Sequence, residues 1–370
     1  MTADRDTLDL STWLRIESPT RAPAGVNRMM DLVAADVAEA PVAVERIPGR
    51  SGLGDVLVLR AGPERDDSAI LVMSHLDTVH PLGTADHDLP VRLEGDRLYG
   101  PGCYDMKGGA YLALQAFKEV ARAGRARRPL VYLMTPDEEI GSPTTRPIIE
   151  GLARRAAFAL VTEPARDGGK AVTGRKGVGR FEVHVGGRPA HSGSRHPDGR
   201  SAIREAARQI LKIEAMTDYG RGVTTTVGMV SGGTAANVIP QHCRFSVDLR
   251  VVDAADGEAF SAAILGLKPH DPDVRVTVTG GMNRPPYEKS DGGAALYEHA
   301  RDLAREIGFD LGETPLTGGG SDGNFTAAQG VPTLDGLGID GDGAHTLHEY
   351  GLVSSIAPRR KLMARLLETL

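Results

Sequence analysis

Apolar residues recur along this chain in two rhythms. Residues 25–38 place Val26, Met29, Met30, Val33 and Val37 on one helical face, and 106–123 do the same with Ala110, Leu114, Phe117 and Ala121. Among these lie short unbroken apolar runs: VLVL at 56–59, AILVMS at 69–74, LVYLMT at 130–135 and FALVT at 158–162. Such runs predict strands buried on both faces. Their alternation with helices predicts an α/β fold with a mostly parallel central sheet flanked by helices. From Arg180 the rhythm changes, because FEVHV at 181–185 alternates strictly and suits a sheet with one wet face. A helical pattern at 201–216, the runs TTTVGMV and CRFSVDLRV, a helix near 256–267 and the run VRVTVTG follow. This order, β-α-β-β-α-β, is that of a small self-contained α+β domain. After Pro285 and Pro286 come a helix at 294–307, short strands and an amphipathic helix near 353–369. The simplest division is one α/β domain, 1–173 with 285–370, interrupted by an α+β insert at 174–284.

Composition narrows the class. With 370 residues, 41% hydrophobic and 25% charged, the chain is long enough for two globular domains, and no run reaches the length of a membrane span. The start MTADRDTLDL lacks the basic, then apolar, character of a secretory signal, so a cytoplasmic location is expected. Only Cys103 and Cys243 occur, in no metal-finger spacing, which fits a reducing compartment. A net charge of −6 with scattered arginines gives no global attraction for nucleic acid. The 46 glycines imply many close backbone approaches.

Chemistry is expected where apolar segments end. LVMSHLDTVHPLG carries His75 and Asp77 at the end of a strand, where residues i and i+2 share a face and ligands of open α/β sheets bind. Asp77 is placed to accept the second ring proton of a ligating His75, although HxD alone also describes an ordinary solvated strand end. In GPGCYDMKGG, Asp105 lies between a Gly/Pro turn and a helix, as a ligand or a plain helix cap. TPDEEIGS sets Asp137, Glu138 and Glu139 side by side after an apolar strand. Adjacent acids there repel one another unless a cation intervenes, and one glutamate can bind metal while the other faces water. Glu163, in LVTEPA, ends a further strand. GAHTLHEY offers His345, His348 and Glu349, with either histidine a ligand on local grounds. The remaining histidines, His80, His87, His184, His196, His242, His270 and His299, read as surface or capping residues.

The motifs SHLDTV, DMKGG, DEEIGS, TEP, GRPAHSG, GGTAANVIP, GGGSDG and AHTLHE, in this order over about residues 70–350, resemble the dizinc family of glutamate carboxypeptidase, aminoacylase, acetylornithine deacetylase and succinyl-diaminopimelate desuccinylase. The resemblance implies a zinc-binding catalytic domain with an inserted lid and dimerisation domain, and a homodimer formed through the insert. It implies that Asp105 bridges two Zn²⁺ ions, with His75 and Glu163 on one and Glu139 and His345 on the other, His345 being preferred to His348. Co²⁺ and Mn²⁺ tolerate the same ligands. Glu138 is then the general base acting on a water held between the ions, and Asp77 the partner of His75. His191 in RPAHSG is similar to the family histidine that supports the oxyanion, and the resemblance suggests that each insert sends it into the partner chain's active site. Asn237, Arg250 and Arg284 match the residues that hold a free α-carboxylate in the glutamate carboxypeptidase branch, and Gly319 and Gly320 match a backbone loop lining the substrate. Read locally, Arg250 can instead pair with an acid of its own sheet, and the glycine loop lacks the lysine of a phosphate-binding loop. Cys103 stands where the family commonly has a small residue or valine. The implied activity is hydrolysis of the amide between an acyl or aminoacyl group and a C-terminal amino acid with a free carboxylate. The alternatives are an N-acyl-amino-acid deacylase and a non-catalytic binding homologue, which would have no need of Glu138. The expected partner is a small N-acyl amino acid or peptide, with neither nucleic acid nor membrane.

Overall fold

The apolar runs lie side by side at the centre of a six-stranded sheet in the computed structural model, which describes residues 5–65 and 68–370. The strand order is Ala43–Ile47, Val56–Ala61, Leu130–Thr135, Ala69–His75, Ala156–Val161, Thr333–Leu334. Ala69–His75 pairs in parallel with both of its neighbours, and Ala156–Val161 with Thr333–Leu334. The first two strands run antiparallel to each other, and Val56–Ala61 also to Leu130–Thr135. Period-two geometry sends successive side chains to opposite faces. Leu57, Leu59, Ile70, Val72, Tyr132 and Met134 therefore join one core, with helices Gly108–Ala123, Asp291–Ile307 and Val353–Thr369. Val56, Val58, Leu71, Met73, Val131 and Leu133 join a second core, with Ile149 and Phe325. Each fully buried aliphatic side chain contributes roughly 1.5–3 kcal/mol, so the register is held from both faces.

That register brings the chemical strand ends to one edge. His75 is level with Thr135, and Met73 with Val161, which places His75, Asp137 and Glu163 at neighbouring carboxyl ends. The helix expected from 106 begins at Gly108, since Asp105 and Met106 have non-helical backbone angles. Gly109 lets it approach the next strand end, because a Cβ there would stand 2.0 Å from the Thr162 carbonyl oxygen. The arginines are less scattered than the sequence suggests. Arg60, Arg65 and Arg155 line one pocket beside Ser68, at the opposite end of the strand from His75.

The chain gathers into two units. The larger comprises the residues up to Gly174 together with Lys289–Thr317 and Ser321–Leu370, and the smaller is Arg175–Glu288 with Gly318–Gly320. In the smaller unit an antiparallel sheet has the order Thr224–Gly232, His242–Val251, Gly177–Gly186, Arg275–Arg284. Phe181, Val183 and Val185 turn inward under helices Ala202–Glu214 and Ala254–Leu265, while Arg180, Glu182 and His184 face outward. Ser201 and Asp253 cap the two helices by accepting the backbone N–H of Arg204 and Asp256. Where the chain enters and leaves this unit, Arg175 and Tyr287 exchange two backbone hydrogen bonds of 2.9 Å. Among the described residues no helix is long and apolar enough to cross a membrane.

Candidate active site

His75 is buried, and its Nδ1 donates to the main-chain carbonyl of Asp77 at 2.9 Å. A carbonyl oxygen only accepts, so Nδ1 carries a proton and Nε2 points to Asp105 Oδ1 at 3.2 Å and Glu163 Oε1 at 3.8 Å. The expected partner, the Asp77 carboxylate, is farther from Nδ1, at 3.5 Å. That carboxylate accepts instead from Thr20 Oγ1 at 2.6 Å and from the backbone N–H of Glu138 and Glu139, each at 3.2 Å. Asp77 thus supports the histidine chiefly through its main chain, and its side chain fixes the turn that carries both glutamates.

The two oxygens of Asp105 are divided. Oδ1 faces His75, and Oδ2 lies 3.3 Å from Nε2 of His345, which is 3.2 Å from Glu139 Oε2. The ligand atoms of His75, Asp105 and Glu139 form one group within 4.8 Å, and those of His75, Glu138 and Glu163 another. Among the described residues neither His345 nor His348 completes such a group, and it is His345 that approaches the acids. Of the three adjacent acids, Asp137 turns away from this cluster. Its carboxylate accepts from the Thr144 N–H at 2.8 Å, Thr144 Oγ1 at 2.7 Å and Thr145 Oγ1, pinning the segment that follows.

The fit of a cation rests on one atom above all. Glu139 Oε1 is buried with no hydrogen-bond partner among the described residues, a state that is costly unless a cation supplies the missing contact. With the nitrogen and carboxylate donors around it, the cluster suits a divalent metal ion.

The protonation pattern agrees. Burial pushes Glu139 up to about 8. Hydrogen bonds to Asp105 and Glu139 push His345 up to about 11. Burial pulls His75 down, yet its bonds to Asp105 and Asp77 hold it well above the usual histidine range. These shifts favour protons on the cluster in metal-free protein, which a cation must displace. Metal affinity is therefore expected to rise with pH through about 8, and binding at pH 7 to release protons. Calorimetric titration of metal-free protein with zinc, in buffers of different ionisation enthalpy, measures the release. A buffer-independent heat would contradict it.

In the smaller unit, His191 lies on an exposed loop, where its Nδ1 accepts the backbone N–H of Gly193 and Ser194, each at 3.2 Å. The ring proton therefore sits on Nε2, leaving that nitrogen a donor. Asn237 holds the same loop through its carbonyl, which accepts the Ser192 N–H at 3.0 Å. Arg250 is drawn to its own strand, with Nε and Nη2 on the Asp248 carboxylate at 2.7 and 2.9 Å and Nη1 on the Gly318 carbonyl at 3.2 Å. Arg284 is only 4% exposed and packs beneath Gly320, where a Cβ would stand 2.7 Å from its Cδ. Fully buried Arg175 donates to the Gly319 carbonyl at 3.1 Å. Nothing in TGRKG marks Arg175 as buried. His80, read above as a surface or capping residue, is buried against Glu349.

The fold is shared with the M20 family metallo-carboxypeptidase Sso-CP2 of Sulfolobus solfataricus, at a TM-score of 0.78, 15% identity and 99% coverage of both chains. In sequence the chain is 32% identical to carboxypeptidase G2 of Pseudomonas sp. (strain RS-16) over 313 residues, covering 82% of this chain and 74% of that protein. It is 34% identical to acetylornithine deacetylase of Myxococcus xanthus over 220 residues, 56% of each. The model of peptidase family M20/M25/M40 matches residues 71–369, the span that holds His75, Asp105, Glu139, Glu163 and His345. The chain belongs to that family and is a metal-dependent hydrolase of amide bonds.

Proposed function

We propose that this hydrolase cleaves the amide joining an acyl or aminoacyl group to a C-terminal amino acid whose α-carboxylate is free, in the manner of a carboxypeptidase. The observation that carries the reading is the division of Asp105 between His75 and His345, with Glu138 grouped with His75 and Glu163. His75 and Glu163 would hold one divalent ion and Glu139 and His345 the other, with Asp105 shared. Zinc is the proposed metal, and cobalt and manganese are compatible with the same donors. Bound there, the ions supply Lewis acidity to the scissile carbonyl and to water. The chain's own residues do the rest. Glu138 takes a proton from the attacking water and returns it to the leaving nitrogen. The Nε2–H of His191 is a donor prepared for the developing oxyanion, since the backbone fixes its tautomer. Arg284, carried on a strand and held rigid by packing, supplies a guanidinium fork for the α-carboxylate. The fork of Arg250 is already engaged by Asp248, so this residue reaches a substrate only by exchanging that partner.

The match to an acetylornithine deacetylase favours an N-acyl-amino-acid deacylase as the second reading. Metal analysis followed by a screen of N-acyl amino acids and dipeptides, read by released amine, separates the two. Absence of turnover on every free-acid substrate would overturn both.

Arg284→Ala is expected to lower kcat/KM for free-acid substrates about tenfold to a hundredfold, from the loss of a charge-assisted contact worth roughly 1.5–3 kcal/mol. The corresponding carboxamides should be nearly unaffected. Equal losses on both would give Arg284 a purely structural role.

The proposed assembly is a homodimer formed through the smaller unit. Its edge strand Thr224–Gly232 exposes Met229 and Val230, and the helix packed on that sheet exposes Ile203 and Leu211. A strand with open hydrogen-bonding groups and apolar side chains suits pairing with its own copy about a two-fold axis. A cytoplasmic setting accords with Cys103 and Cys243, both free and buried.

A further inference from the structure

Glu349 lies four residues beyond His345, is buried, and gathers four donors on one carboxylate. Oε1 accepts the backbone N–H of Tyr104 at 2.8 Å and of Asp105 at 2.9 Å. Oε2 accepts the Gly102 N–H at 3.1 Å and Nε2 of buried His80 at 2.8 Å. Every donor but the imidazole comes from the turn that presents Asp105, while Glu349 itself belongs to the loop that presents His345. That loop is tight where it starts, since a Cβ on Gly343 would stand 3.0 Å from Glu349 Cα. One side chain therefore couples two segments distant in sequence, each bearing a proposed ligand.

We infer that Glu349, oriented by His80, is a positioning residue that sets the spacing of Asp105 and His345 and so the affinity of the half-site they form with Glu139. This rests on the dinuclear reading above. Glu349 touches neither substrate nor metal in this role. It acts through the peptide groups of residues 102–105, whose N–H bonds fix where the Asp105 side chain begins. Residues that orient metal ligands typically govern affinity by about 10–100-fold. Glutamine at this position keeps a carbonyl acceptor for the Tyr104 and Asp105 N–H groups but turns an amide donor toward the Gly102 N–H, so it should act as a partial replacement.

The test titrates metal-free wild type, Glu349→Gln, Glu349→Ala and His80→Asn with zinc alone, in competition with a chromophoric chelator, alongside the melting temperature of each metal-free form. Wild type should take up two ions. Glu349→Ala should keep one with little change and bind the other about 10–100-fold more weakly, with Glu349→Gln and His80→Asn in between. Saturating zinc should restore kcat in Glu349→Gln, which damage to the fold would not permit. Should Glu349→Ala fail to fold, the other two variants carry the test. Wild-type affinity for both ions in the variants overturns the inference. So does a parallel weakening of both ions that follows a fall in melting temperature. Uptake of fewer than two ions by wild type would overturn the dinuclear reading itself, and this inference with it.

Discussion

Glu138→Gln is expected to keep both metal ions and its affinity for substrate while kcat falls by about 10²–10⁴, the usual contribution of a positioned general base. Glu139→Gln should instead lose a metal ion. The contrast follows from the turn on which the two residues sit. Asp77 holds both of their backbone N–H groups, and from that common anchor the side chains diverge. Glu139 goes to His345 and leaves one buried oxygen without a donor. Glu138 joins His75 and Glu163 in a group that is itself close enough to hold an ion. That grouping gives the experiment its edge, for if Glu138 were a ligand its glutamine variant would lose metal. Metal content and single-turnover rates of both variants decide the roles, and near-normal turnover by Glu138→Gln would remove it as the base.

The second large effect concerns His191 and the dimer. If each subunit sends His191 to its partner's site, Glu138→Gln and His191→Ala homodimers are both nearly inactive, yet a mixed dimer contains one site with both groups intact and one with neither. Unfolding and refolding a one-to-one mixture should recover roughly a quarter of wild-type activity, because about half the dimers are mixed and half of their sites are whole. A histidine acting within its own chain leaves a lesion in every site. The mixture would then stay as inactive as its parents, provided that sizing and mass measurements confirm mixed dimers.

Legibility from sequence was uneven, and for physical reasons. A buried strand ending in a charged residue declares its location, because the apolar run has to stop where water or a ligand begins; His75, Glu139 and Glu163 were visible in this way. Strand direction was not. Val56–Ala61 and Ala69–His75 are both continuous apolar runs, although one lies antiparallel to Leu130–Thr135 and the other parallel. Hydrogen bonds to the main chain leave no trace in residue type, which hid the true acceptor of the His75 proton and the use of the Asp77 carboxylate. Partners far apart in sequence were equally hidden, since the separation of 269 positions between His80 and Glu349 removes any local pattern. Arg250 shows the remaining limit. An arginine two residues from an aspartate on the same strand suits a structural pair and a substrate clamp alike, and only the folded structure reveals the fork on Asp248.

The paired backbone at Arg175 and Tyr287 has a consequence for how such a chain can be recombined. Residues that exchange both hydrogen bonds across antiparallel backbone have Cα atoms about 5.5 Å apart. The 111 residues between them thus form a detour whose two ends nearly meet. A link of one or two residues can close that gap, so the segment can be removed, or replaced by the corresponding piece of a relative, without rerouting the strands that end at His75, Thr135 and Val161. The short loop Gly318–Gly320 groups with this segment, and Arg175 and Arg250 donate to its Gly319 and Gly318 carbonyls. The part of the chain bearing His191 and Arg284 is in that sense a single continuous insertion with adjoining ends.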